Sequence, residues 1–221
     1  LYTHTPLALP VHVLHGNTEG PTLFVSAAIH GDEINGVEVI RRLLKLSMLK
    51  SMKGTLLAIP VVNVFGFLHL SRYLPDRRDL NRSFPGSARG SLAARLAHLF
   101  LTEIVERCAI GSDLHTGSNA RKNLPQVRGD LDDPETHRLA TAFAPPIMLH
   151  SRLRDGSLRA TASRRGHPVR LYEAGEAMRF DADAIAVGVE GVMRTLEALE
   201  MVDSAPVAPR VPLESRHSSW V

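Results

Sequence analysis

Cysteine is almost missing from this sequence: Cys108 stands alone among 221 residues. One thiol closes no intrachain disulfide, so the fold has to rest on burial and hydrogen bonding, and a reducing, cytoplasmic setting is expected. Its surroundings, IVERCAI, lean apolar, which suits a buried and inert thiol. Aromatic residues are scarce at 5%, and no run of Lys or Arg is interleaved with them. That pattern argues against a dedicated nucleic-acid surface. No stretch reaches the roughly 20 apolar residues needed to span a bilayer, and the first residues lack the apolar core of a signal peptide. Neither nucleic acid nor membrane is an expected partner.

What is present suits a globular domain with a real core: 44% of residues are hydrophobic and the formal net charge is only +3. Arg far outnumbers Lys, and the guanidinium fork matches carboxylate or phosphate geometry, so a small anionic ligand is compatible with the composition.

The most informative stretch is TLFVSAAIHGDEIN, residues 22–35, an apolar run that stops abruptly at His30, Gly31, Asp32 and Glu33. A buried strand leaves its last side chains at the rim of a sheet, where substrates reach them. Beyond it, Ile34, Val37, Ile40, Leu43 and Leu44 recur at helical spacing, so HGDE is a strand-to-helix turn. His30 and Glu33 could hold a metal there. With eleven histidines in the chain, a His followed three residues later by Glu is weak on its own.

Taken in order, PVHVLH (10–15) reads as a short strand, with Gly16 to Pro21 turning the chain into the apolar run. His12 and His15 fall on opposite faces of that strand and do not share a metal. TLLAIPVVN is a second apolar strand ending in Asn63, and Gly66 to Gly86 is a long ordered loop. Leu92 to Val105 forms a helix capped by Ser91, with His98 packed or on its surface. AIGSDLHTGS is a strand reaching the rim at Asp113, Leu114 and His115. A helix from Pro134 to Phe143, a strand over 147–149, a strand VRLYEAG ending in Glu173 and a helix from Asp181 to about Met201 follow.

Alternating strands and helices predict an α/β fold with three layers, α/β/α, around a mainly parallel, mixed sheet. Such sheets collect their site residues at strand carboxyl ends. Two His and one Glu are a zinc ligand set, leaving Glu173 as the carboxylate able to take a proton from an activated water. Asp32 and Asp113 are candidates to orient a ligand imidazole.

IHGDEINGVEVI, RDLNRSFPG, DLHTGSNARKNLP and LYEAG together resemble the succinylglutamate desuccinylase/aspartoacylase family, which is related to zinc carboxypeptidases. The match runs over roughly residues 20–200, with four motifs in the family's order. The resemblance implies a zinc carboxypeptidase-like fold with one Zn2+ per chain, held by His30, Glu33 and His115. It implies Glu173 as general base and acid, with Glu176 as a rival. Asn81 and Arg82 of the DLNR motif would bind a substrate carboxylate. Arg72 matches the arginine that polarises the scissile carbonyl, with Arg77 and Arg78 as rivals.

The implied activity is hydrolysis of the amide bond of a small anionic N-acyl amino acid. A metallocarboxypeptidase acting on short peptides and a non-catalytic binding relative are the alternatives. Residues 1–203 are expected to form the zinc-dependent domain, and residues 204–221 a Pro-rich linker with the start of a C-terminal β domain. Self-association into a homo-oligomer is left open, as is the identity of the acyl group and amine.

Overall fold

A computed structural model describes residues 7–203 and 210–217. Eight strands form one mixed sheet, and the apolar alternation of its central strand explains why helices cover both faces. In β2 (Thr18–Ala27), Leu23, Val25 and Ala27 turn to one side and Phe24 to the other. The first side packs against α1 (Asn35–Leu43), α4 (Pro134–Phe143) and α6 (Ala182–Ala198), burying Val39, Ile40, Leu43, Leu139, Phe143, Ile185 and Leu196. On the second, Phe24 meets Phe100 of α3 (Leu92–Glu103) edge-on at 5.9 Å between ring centroids. Ala97 of α3 and Leu158 and Ala162 of α5 (Leu158–Arg164) complete that layer. Each large apolar side chain buried in this way contributes roughly 1.5–3 kcal/mol of transfer free energy.

The remaining strands are β1 (His12–His15), β3 (Lys53–Ile59), β4 (Ile110–Gly117), β5 (Asn123–Gly129), β6 (Ile147–His150), β7 (Val169–Glu176) and β8 (Leu213–Ser215), in the order β1-β3-β2-β4-β7-β5-β6-β8. β3, β2, β4 and β7 run parallel, so their carboxyl ends share one edge. β5 runs antiparallel to β7, which brings its amino end, Asn123, to that same edge beside Gly175. The α/β class with a mixed sheet is therefore as expected, and helix starts fall where the caps place them. Ser91 accepts from the Ala94 amide, Asp133 from Thr136 and Asp181 from Ala184.

The differences have local causes. β2 begins at Thr18, inside the expected turn, and its register against β3 shifts between Thr18 and Thr22. The long loop after residue 66 carries the end of α2 (Val64–Leu68), capped by the Asn63 side chain, and a 3-10 turn at Leu80–Arg82. β5 and α5 are additional to the expected elements: NLPQVRG contains proline and does not alternate, and LRATASR is mostly polar. The final helix stops at Ala198, short of Met201. Part of the stretch expected as linker, Leu213–Ser215, adds a strand parallel to β6; residues 204–209 and 218–221 lie outside the described residues. Among the described residues no helix is long and apolar enough to cross a membrane. Cys108 is buried, and burial pushes its thiol up to about 12.

Candidate metal centre and cleft

At the shared carboxyl edge, the turn between β2 and α1 folds back on itself, the Glu33 amide donating to the His30 carbonyl at 3.1 Å. Both side chains thereby point at β4. The Glu33 carboxylate is buried and divided between two imidazoles: Oε1 lies 2.8 Å from His30 Nδ1, and Oε2 lies 2.9 Å from His115 Nδ1. The Thr116 amide donates to Oε2 at 3.1 Å, and Arg72 Nη1 donates to Oε1 at 3.2 Å. The two imidazole rings stand nearly perpendicular with centroids 5.0 Å apart. His30, Glu33 and His115 thus offer ligand atoms all within 4.8 Å of one another.

Behind each imidazole stands a second carboxylate. His115 Nε2 lies 2.8 Å from Asp113 Oδ2, and Asp113 Oδ1 accepts from the Ser26 hydroxyl at 2.7 Å. His30 Nε2 faces Asp79 Oδ1 at 3.3 Å but makes no hydrogen bond, leaving a buried ring nitrogen unsatisfied. Asp113 therefore sits as expected for an orienting group, whereas the residue beside His30 is Asp79 and not Asp32. Asp32 makes no hydrogen bond to either ring among the described residues; its carbonyl accepts from Met178 instead.

Electrostatics follow from this crowding. Burial works to raise the Glu33 carboxyl, but His30 and His115 pull it well below the usual carboxylate range. Burial works to lower His115, and Asp113 and Glu33 overcome it, holding the imidazole well above its ordinary value; His30 is raised in the same way by Glu33 and Asp79. Carboxylates that hold protons on two facing imidazoles attract a cation to the same place. Imidazole nitrogen and carboxylate oxygen are zinc ligands, and three of them leave an open position. The residues present fit the ion.

Around this centre opens a cleft of about 1060 Å³, lined by His30, Glu33, His115, Glu173, Arg72, Asn81 and Arg82 among others. Asp113 lines it as well, and Asp32 does not. Arg72 lines the cleft; Arg77 and Arg78 do not, and Arg78 turns toward Asp76 at 3.8 Å. Glu173 lines it, while Glu176 turns away and accepts from the Ala120 amide at 2.9 Å. Asn81 is buried, and its Oδ1 accepts from the Leu158 amide at 2.9 Å, so one of its polar ends docks α5. Arg128, Arg154 and Arg159 add to a strongly cationic lining.

Two groups were missed in the sequence. Asp79 opens the DLNR motif, and its Oδ2 accepts from Arg72 Nη2 at 3.0 Å. Asn123 closes the NARKN run, and its Nδ2 donates to Glu173 Oε2 at 2.6 Å. Each lies inside a motif quoted above, RDLNRSFPG or DLHTGSNARKNLP; only folding tells which polar residue of the motif turns inward.

The model of the succinylglutamate desuccinylase/aspartoacylase catalytic domain matches residues 19–199. The chain belongs to this family. An N-alpha-acetyl-L-2,4-diaminobutyric acid deacetylase of Halomonas elongata is 27% identical over 212 residues, covering 92% of this chain and 62% of that protein. The crystal structure of a succinylglutamate desuccinylase/aspartoacylase from Rhodobacter sphaeroides superposes with a TM-score of 0.81 at 27% identity, over 90% of this chain and 61% of that one. The ectoine utilization protein EutE (DoeB) of Ruegeria pomeroyi has the same fold, with a TM-score of 0.86 at 23% identity, over 96% of this chain and 66% of that one. The chain thus spans 61–66% of the length of these proteins.

Proposed function

We propose that this chain is the catalytic part of a zinc-dependent hydrolase that cleaves the amide bond of a small anionic N-acyl amino acid. The convergence of His30, Glu33 and His115 in a cationic cleft that also contains Glu173 carries this reading. The deacetylase activity named for the Halomonas relative supports removal of an acyl group over peptide trimming.

His30, Glu33 and His115 would hold the zinc, which when bound supplies Lewis acidity to acidify a water and polarise a carbonyl. The protein's own groups do the rest. Arg72, which donates to Asp79 and Glu33 beside the centre, is the cation that would stabilise negative charge developing on the carbonyl oxygen. Glu173 accepts a proton from the attacking water and delivers it to the nitrogen of the leaving amine. Water's oxygen ends on the acyl group as a carboxylate, and the carbon–nitrogen bond breaks to release the amino acid. Arg82 offers a fork to the substrate carboxylate, with the Asn81 amide nitrogen beside it.

Metal analysis combined with a panel of N-acyl amino acids and short peptides tests the reading. Stoichiometric zinc and preference for N-acyl amino acids are expected. Active protein without zinc, or a preference for peptides, overturns it.

A further inference from the structure

β5 does not pair regularly with β7. Gln126 stands opposite Glu173, yet Asn123, three positions earlier, stands opposite Gly175, only two positions from Glu173. One extra residue on β5 is therefore accommodated, at a segment containing Pro125, which has no amide hydrogen to give a ladder. On a regular strand, residues three apart point to opposite faces. The bulge restores Asn123 to the face of Glu173 and leaves Leu124 exposed. Asn123 Nδ2 then donates to Glu173 Oε2 at 2.6 Å, and Arg128 Nη2, further along β5, lies 3.2 Å from the same oxygen.

Both cross-strand contacts engage Oε2. We infer that Asn123 and Arg128 are positioning residues that pin Oε2 of Glu173, so that Oε1 is the oxygen that takes and returns the proton. A carboxylate on a flexible stem presents either oxygen in many orientations; one hydrogen-bond donor and one cation fixed to a neighbouring strand select one. Displacement of a reacting group by about 1 Å costs up to about 100-fold in rate. The inference rests on the role of Glu173 given under Proposed function.

Removing Asn123 by Asn123→Ala is expected to lower kcat by about 10- to 100-fold, with KM within about twofold of wild type and zinc content unchanged. Arg128→Lys is expected to retain more of kcat than Arg128→Met, because it keeps the cation of the ion pair. The separating measurement is a mutant cycle: in a Glu173→Ala background, Asn123→Ala should cost nothing further. A crystal structure of the Asn123→Ala protein should show the Glu173 carboxylate turned from its wild-type orientation. Wild-type kcat in Asn123→Ala, or the same loss in the Glu173→Ala background, means that Asn123 only pins β5 to β7 and overturns the inference alone. Zinc-loaded wild-type protein without turnover on the N-acyl panel overturns the amidohydrolase reading and the inference with it.

Discussion

His115 and Glu173 are paired directly across the neighbouring parallel strands β4 and β7. Their side chains share a face at the roughly 4.8 Å spacing of adjacent strands. A proposed metal ligand and the proposed base are thus held relative to each other by backbone hydrogen bonds, without reliance on a loop.

Glu173→Gln removes the proton acceptor and leaves the ligand set untouched. A fall in kcat of about 1000-fold is expected, within the range for a general base, with zinc retained at one per chain. Steady-state kinetics and metal analysis on the same preparation check this. Loss of zinc together with activity would assign Glu173 to the metal and not to the proton.

The pH profile follows from the surroundings of Glu173. Burial raises its carboxyl, against the pull of Arg128, His115 and His30 and with a push from Glu33. A base acts when ionised, so activity is lost as pH falls through this raised value. The acid limb of kcat/KM should lie above the ordinary carboxylate range, and Arg128→Met, which removes a cation, should move it higher still. A limb that moves lower in Arg128→Met contradicts the assignment.

Asp79 serves both halves of the site, accepting from Arg72 at 3.0 Å and facing His30 at 3.3 Å. Burial works to raise its carboxyl, but His30 and Arg72 hold it well below the usual carboxylate range, so it is ionised at neutral pH. Asp79→Asn keeps the shape and removes the charge. Zinc affinity and kcat should each fall by about 10- to 100-fold; zinc titration and kinetics read the two separately, and no change in either removes Asp79 from the machinery.

Gly31 sits between His30 and Glu33 where a Cβ would lie 2.0 Å from the Gly66 carbonyl carbon and 2.2 Å from the Phe67 amide nitrogen, both backbone atoms of α2. Gly31→Ala forces α2 away from the metal turn. A loss of about 1–3 kcal/mol in stability is expected from overpacking, read as a lower midpoint in denaturant, together with weaker zinc binding. Wild-type stability and zinc affinity would show that the turn yields freely.

By itself the sequence determined the class of the fold, the strand-to-helix turn at HGDE, the helix starts at Ser91 and Asp181 and the proposed ligands. All of these depend on local spacing: apolar period, capping residue, and the abrupt polar end of an apolar run. Tertiary structure decided the rest. In the sequence Arg72 is the best match with Arg77 and Arg78 as rivals, and the docking of their loop against Glu33 and Asp79 is what puts Arg72, and neither rival, in the cleft. Asp32 lies within the HGDE turn, yet Asp79, forty-nine positions after His30, is the one that faces its imidazole. Asn123 reaches Glu173 because an antiparallel strand with a bulge lies beside β7, a pairing written in no local pattern. Contacts between segments far apart in the chain depend on strand order and register, and these are fixed by burial of both sheet faces at once.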